Sequence, residues 1–154
     1  LISPGGQPPR VLVIGYGNPL RGDDGFGPTV ASRLVPLVDP RRVEILIPQQ
    51  LTPDLAEPVS RAALTVLIDA REGDIPGAIH VEPITRPAES SVTYQHHVTP
   101  GVLIGAAQSL YGLTPRMVLI SVEANQFDAG ERLSPAVAAA VDEVVALTLK
   151  AISS

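Results

Sequence analysis

The sequence predicts one α/β domain, a three-layer sandwich in which a twisted, mostly parallel sheet of about five strands carries helices on both faces. Three observations lead there. Apolar runs recur at 11–15, 43–47, 64–69, 78–82 and 117–122, and most are continuous rather than alternating. Continuous runs mark strands that are covered on both faces. Helical patterns fall between the runs in the order β-α-β-α-β-β-α-β-α, which builds an open sheet with crossover helices. Finally, the 154 residues are 45% apolar but only 3% aromatic. The core must therefore be made of Val, Leu, Ile and Ala, as in tightly packed α/β sheets.

Each element has its own warrant. Residues 1–9 are rich in Pro and Gly and read as a disordered tail or an appended remnant, leaving 10–154 as the domain. Val11-Leu12-Val13-Ile14 is the first strand, and a glycine-rich turn follows it. The first helix presents Val30, Ala31, Leu34, Val35 and Val38, with Pro36 set to end it early. Thr52-Pro53, Thr99-Pro100 and Ser134-Pro135 each offer a capping hydroxyl followed by proline at the first helical position. The last helix carries a 3.6-residue stripe of Val137, Val141, Val144, Val145, Thr148, Leu149 and Ile152. The segment 84–98 reads as a long polar loop, a type that is often functional or mobile.

Composition removes several function classes. The net charge is -5 with no basic patch, which argues against nucleic acid as a partner. The absence of cysteine excludes disulfides, thiolate metal sites and a cysteine nucleophile. No apolar run reaches the length of a membrane span, and no signal peptide opens the chain. A cytoplasmic protein, monomeric and without a membrane partner, is the expectation.

The stretch from Gly15 to Gly27, GYGNPLRGDDGFG, holds the most chemistry. Glycine-rich turns between strand and helix bind ligands because backbone N–H groups and the helix N-terminus face one crevice. A dinucleotide is the usual occupant, but its fingerprint needs a third glycine where Leu20 stands. Asp23 and Asp24 repel a pyrophosphate and suit a cation. Ligands of open α/β sheets gather beyond the carboxyl ends of the strands. There the sequence places Asn18, Asp23 and Asp24 after the first strand, Asp69 after the third, and Glu123 and Asn125 after the fifth. His96 and His97 lie in the loop before the helix at 100. Plainer roles compete with these. Asp23 or Asp24 is suited to cap the first helix, Asp69 to sit in a turn, and His96 and His97 to lie in solvent. His80 and Glu44 read as strand residues without a role. There is no G-x-S-x-G elbow, no H-E-x-x-H helix and no Asp-Thr-Gly turn of the aspartic-protease kind. On the residues alone, the reading ends at an α/β domain with a cation site.

The chain resembles the nickel–iron hydrogenase maturation endopeptidases. Four segments carry the likeness, in the expected order across most of 10–152. They are Gly15–Leu20 through Asp23–Gly27, Val66–Ala70 with Gly77 in a following turn, His96–Pro100, and Phe127–Ser134. The resemblance implies removal of a C-terminal extension from a hydrogenase large-subunit precursor after nickel loading. It implies Asp24, Asp69 and His96 as the metal-contacting and catalytic residues, with His97 the alternative to His96. Nickel would come from the substrate, with no organic cofactor.

Two departures stand out. Many relatives have Glu at the position of Asp24. The segment Gln49–Ala56 replaces a Gly-Thr-x-Gly-like one and is similar to the subgroup serving bidirectional, NAD-coupled hydrogenases. Carboxylate and imidazole suit nickel or zinc. Three mechanisms stay open: a substrate-borne nickel that docks and positions the peptide, a metal that activates carbonyl or water, and an Asp acting as base. A non-catalytic nickel-sensing or docking module of the same fold is the alternative.

Overall fold

In a computed structural model, residues 11–85, 98–112 and 115–154 are described. The expected tail and both His96 and His97 lie outside them. Five strands form a single sheet: β1 (Val11–Gly15), β2 (Val43–Leu46), β3 (Leu64–Glu72), β4 (Ile79–Pro83) and β5 (Arg116–Ala124). Their spatial order is β2-β1-β3-β5-β4. The first four strands in that order run parallel and β4 joins the edge antiparallel. The mostly parallel sheet expected from the sequence is present.

Helices cover both faces. Helices α1 (Phe26–Leu34) and α4 (Pro135–Ser153) pack on one face, and α2 (Ala56–Arg61) and α3 (Pro100–Tyr111) on the other. Strand alternation sends Val13, Val66, Ile68, Ile120 and Val122 towards α1 and α4, where they meet Phe26, Val30, Val141 and Val144. The intervening residues Leu12, Ile14, Leu67 and Met117 meet Val59, Leu103, Ile104 and Ala107. Both sets are buried, so the central strands read as continuous apolar runs. Burying one such side chain contributes about 1.5–3 kcal/mol.

Local signals were mostly obeyed. Helix α1 stops at Leu34 and tightens into a 3-10 turn over Val35–Leu37, as Pro36 requires. Thr99 caps α3, its hydroxyl accepting from the Val102 N–H at 3.1 Å. Two starts differ from expectation. Pro53–Leu55 forms a 3-10 turn before α2, and the Thr52 side chain makes no cap bond. Ser134 makes no side-chain cap to α4, because its hydroxyl is committed elsewhere. Strands β3 and β5 both outrun their apolar stretches, since pairing continues from Leu64↔Arg116 to Glu72↔Ala124. Asp69 and Glu123 therefore lie inside strands, and Asp69 is not a turn residue. Among the described residues no helix is long and apolar enough to cross a membrane.

Candidate active site at the carboxyl end of the sheet

The glycine-rich turn is pinned between two strands. The Tyr16 N–H donates to Ile68 O at 3.2 Å and the Gly17 N–H to Pro48 O at 3.3 Å. A Cβ on Gly27 would stand 2.5 Å from both Ile68 O and Tyr16 O, so only glycine lets α1 start this close to the sheet. Gly17 has φ +144°, and a Cβ there would lie 1.9 Å from Asp24 O. These two glycines bring the Asp24 segment back over the end of β1.

The adjacent carboxylates then part company. Asp23 is fully buried. It accepts the Ser134 N–H at 2.6 Å and the Ser134 hydroxyl at 2.8 Å, short bonds of the charge-assisted kind. Its own N–H donates to Gln126 O at 2.9 Å, and Gly22 and Gly130 bond nearby. Asp23 thus ties the first turn to the loop that enters α4, and it explains why Ser134 does not cap that helix. Asp24 is half-buried and accepts the Asn18 N–H at 2.7 Å. Neither caps α1, whose N-cap is Gly25 without a side-chain bond. The 3-10 turn over Gly22–Gly25 instead takes both acids out of line with that helix.

Asp69 stands on β3 beside the end of β1. It is half-buried, and its Oδ1 accepts the Ala70 N–H at 2.8 Å. Burial pushes its carboxyl up to about 7, and the Asp24 charge adds to the rise. The Tyr16 hydroxyl, which lies against it, and the Ala70 N–H act in the opposite direction. Burial raises the Tyr16 phenol above its ordinary range, with the charges of Asp69 and Asp24 adding to it. Tyr16 is therefore a neutral donor facing a carboxyl that titrates near neutrality. Sequence reasoning passed over Tyr16. Its signal was its place as the residue following Gly15, the last β1 residue paired with β3.

Asp24 and Asp69 thus share one electrostatic neighbourhood. Among the described residues, no three His, Asp or Glu side chains gather closely enough to hold a metal ion. The third residue implied by the resemblance, His96, lies outside the described residues. His80, read from sequence as having no role, is bonded through Nε2 to Glu123 Oε2 at 2.6 Å. That contact, followed by the Ile75 N–H, holds the Glu123 carboxyl below its usual range. Glu44 is half-buried in β2, opposite Leu12 of β1.

No protein-family model and no curated protein sequence matches the chain. Solved structures do. The hydrogenase 2 maturation peptidase from Thaumarchaeota archaeon SCGC_AB-539-E09 is 28% identical, with a TM-score of 0.69 over 94% of this chain and 98% of that one. The hydrogenase maturating endopeptidase HybD of E. coli is 21% identical, with a TM-score of 0.75 over 94% and 92%. The NiFe hydrogenase maturation protease HycI of Thermococcus kodakarensis KOD1 is also 21% identical, with a TM-score of 0.75 over 94% and 93%. The last two establish the shared fold. The first adds sequence likeness along nearly the whole of both chains.

Proposed function

We propose that the chain is a nickel–iron hydrogenase maturation endopeptidase, which removes the C-terminal extension of a nickel-loaded hydrogenase large-subunit precursor. The observation that carries this reading is the Asp24 charge acting on the buried Asp69 carboxyl beside the glycine turn, in a chain similar to a maturation peptidase over 94% of its length. A buried carboxyl whose ionisation is made costlier still by a neighbouring carboxylate charge suits a cation, which relieves the repulsion. Carboxylates and an imidazole are acceptable donors to nickel, and an incomplete set leaves positions for donors from the substrate.

In this reading Asp24, Asp69 and His96 contact the nickel carried by the precursor. The chain's own residues supply the rest. Asn18 holds one Asp24 oxygen, and among the described residues the other has no hydrogen bond. Ala70 and Tyr16 orient the Asp69 carboxyl. A carboxyl that titrates near neutrality can also take up or release a proton at working pH, as a general base or acid must. Fixing the scissile peptide beside these groups lowers the barrier through orientation.

The test is incubation of the chain with nickel-loaded and nickel-free precursor, followed by mass spectrometry of the precursor's C-terminus. Trimming of the loaded form alone is expected. Failure to trim either form would overturn the proposal.

A further inference from the structure

A row of polar side chains crosses the sheet at the level of Asp69. Asp69 of β3 pairs in register with Ser121 of β5, and Ser121 with His80 of β4. Strand alternation puts Asp69 and Ser121 on the face of Leu67 and Met117, the side covered by α2 and α3. Ser121 is 1% exposed, and its hydroxyl has no hydrogen-bond partner among the described residues. A buried hydroxyl without a partner is costly, and such groups call for an explanation.

Burial keeps this hydroxyl from touching a protein substrate. It acts, if at all, through a neighbour on its own row. On one side His80 is already engaged with Glu123. On the other stands Asp69, on a parallel strand about 4.8 Å away. A carboxylate has room for several donors, and among the described residues Asp69 has one backbone donor within bonding distance, Ala70. Ser121 and Asp69 are register partners on one face of the sheet, and partners on neighbouring strands are the side chains that interact.

We propose that Ser121 is a positioning residue, its hydroxyl donating to Asp69 from the β5 side and fixing how that carboxylate faces the ligand. Ser121 and Tyr16 then flank Asp69 with one hydroxyl each, across the two strands that border β3. The proposal rests on the reading of Asp69 as part of the active site.

The test uses the full chain and two variants, Ser121→Ala and Ser121→Thr. Loss of an oriented donor behind a ligand residue costs about 10- to 100-fold in metal affinity or activity. Ser121→Ala should therefore melt within a few degrees of the wild type, yet lose about 10-fold or more in both the single-turnover trimming rate and the affinity for free nickel. Ser121→Thr, which keeps the hydroxyl, should recover most of each. Wild-type trimming and nickel affinity in Ser121→Ala would overturn the inference while leaving the proposed function standing. Equal losses in two well-folded variants would overturn it too, since the methyl and not the hydroxyl would then be at fault. If the wild type trims no precursor, it is the proposed function that fails. The nickel titration, compared with Asp69→Asn, then still decides whether Ser121 acts on Asp69: an affinity unchanged by either substitution refutes it.

Discussion

Replacing Asp69 by asparagine should make the protein more stable and inactive at the same time. The carboxyl is raised from 3.8 to about 7, chiefly by burial. At about 1.36 kcal/mol per unit, the ionised form costs the fold on the order of 4 kcal/mol relative to the unfolded chain. The sign follows from the direction of the shift. A raised carboxyl binds its proton more tightly when folded, so its stabilising contribution is fully present below pH 3.8 and is lost as pH rises to about 7. Asparagine has nearly the same volume and keeps an oxygen to accept the Ala70 N–H, but it carries no charge. Solvent reaches part of this half-buried site, so the expected gain for Asp69→Asn at pH 8 is about 2–4 kcal/mol, or on the order of 5–15 °C in Tm for a domain of this size. Below pH 4 the gain should vanish. Urea unfolding of both proteins at pH 4 and pH 8 measures the difference, and the precursor assay at pH 8 should show no trimming. A variant that is less stable than wild type at pH 8, or whose stability difference ignores pH, would refute the claim that burial of the charge governs Asp69.

Two further outcomes test the rest of the site. Asp23→Ala removes the acceptor for both Ser134 bonds and leaves those half-buried donors without it, so at about 1.5–3 kcal/mol for each bond to a charged group unfolding should be easier by about 3–5 kcal/mol, with a smaller loss for Asp23→Asn; a loss under about 1 kcal/mol in urea titration would count against the clamp. Nickel titration calorimetry of the free enzyme should give weak binding that weakens further as pH falls below about 7, because Asp69 must shed a proton and a histidine ligand must be neutral, whereas tight, pH-independent binding would point to a self-contained metal centre.

Much of the fold was legible because aliphatic runs and strand positions coincide in this chain. The errors lie where that coincidence breaks. Strand β3 continues through Asp69, Arg71 and Glu72 because nine residues of β5 pair with it, and pairing is invisible to a count of apolar residues. Asp69 consequently fell at the end of the expected strand, with a turn as its competing plain role, although its position inside a strand is what fixes its side chain beside Tyr16. Pro36 and Thr99 acted as read, since the proline ring and the capping hydroxyl work within a few residues. Ser134 did not, because its partner is Asp23, 111 positions away.

The two adjacent aspartates show why residue type and spacing could point to this turn but not divide its labour. Asp23 and Asp24 are chemically identical, and both fit a helix N-terminus or a cation equally well on paper. Their fates depend on the donors each one meets. Asp23 is fully buried and has its charge answered by an N–H and a hydroxyl from Ser134, so it needs nothing further. Asp24 receives one backbone donor and lies within reach of the charge on Asp69. Burial makes the ionised form of Asp69 costlier than its donors Tyr16 and Ala70 offset. A charge fully answered within the protein holds structure together. A buried carboxyl left under-compensated at the end of a sheet is where a cation from outside would gain the most, and in the proposed reading that carboxyl is Asp69, with Asp24 beside it.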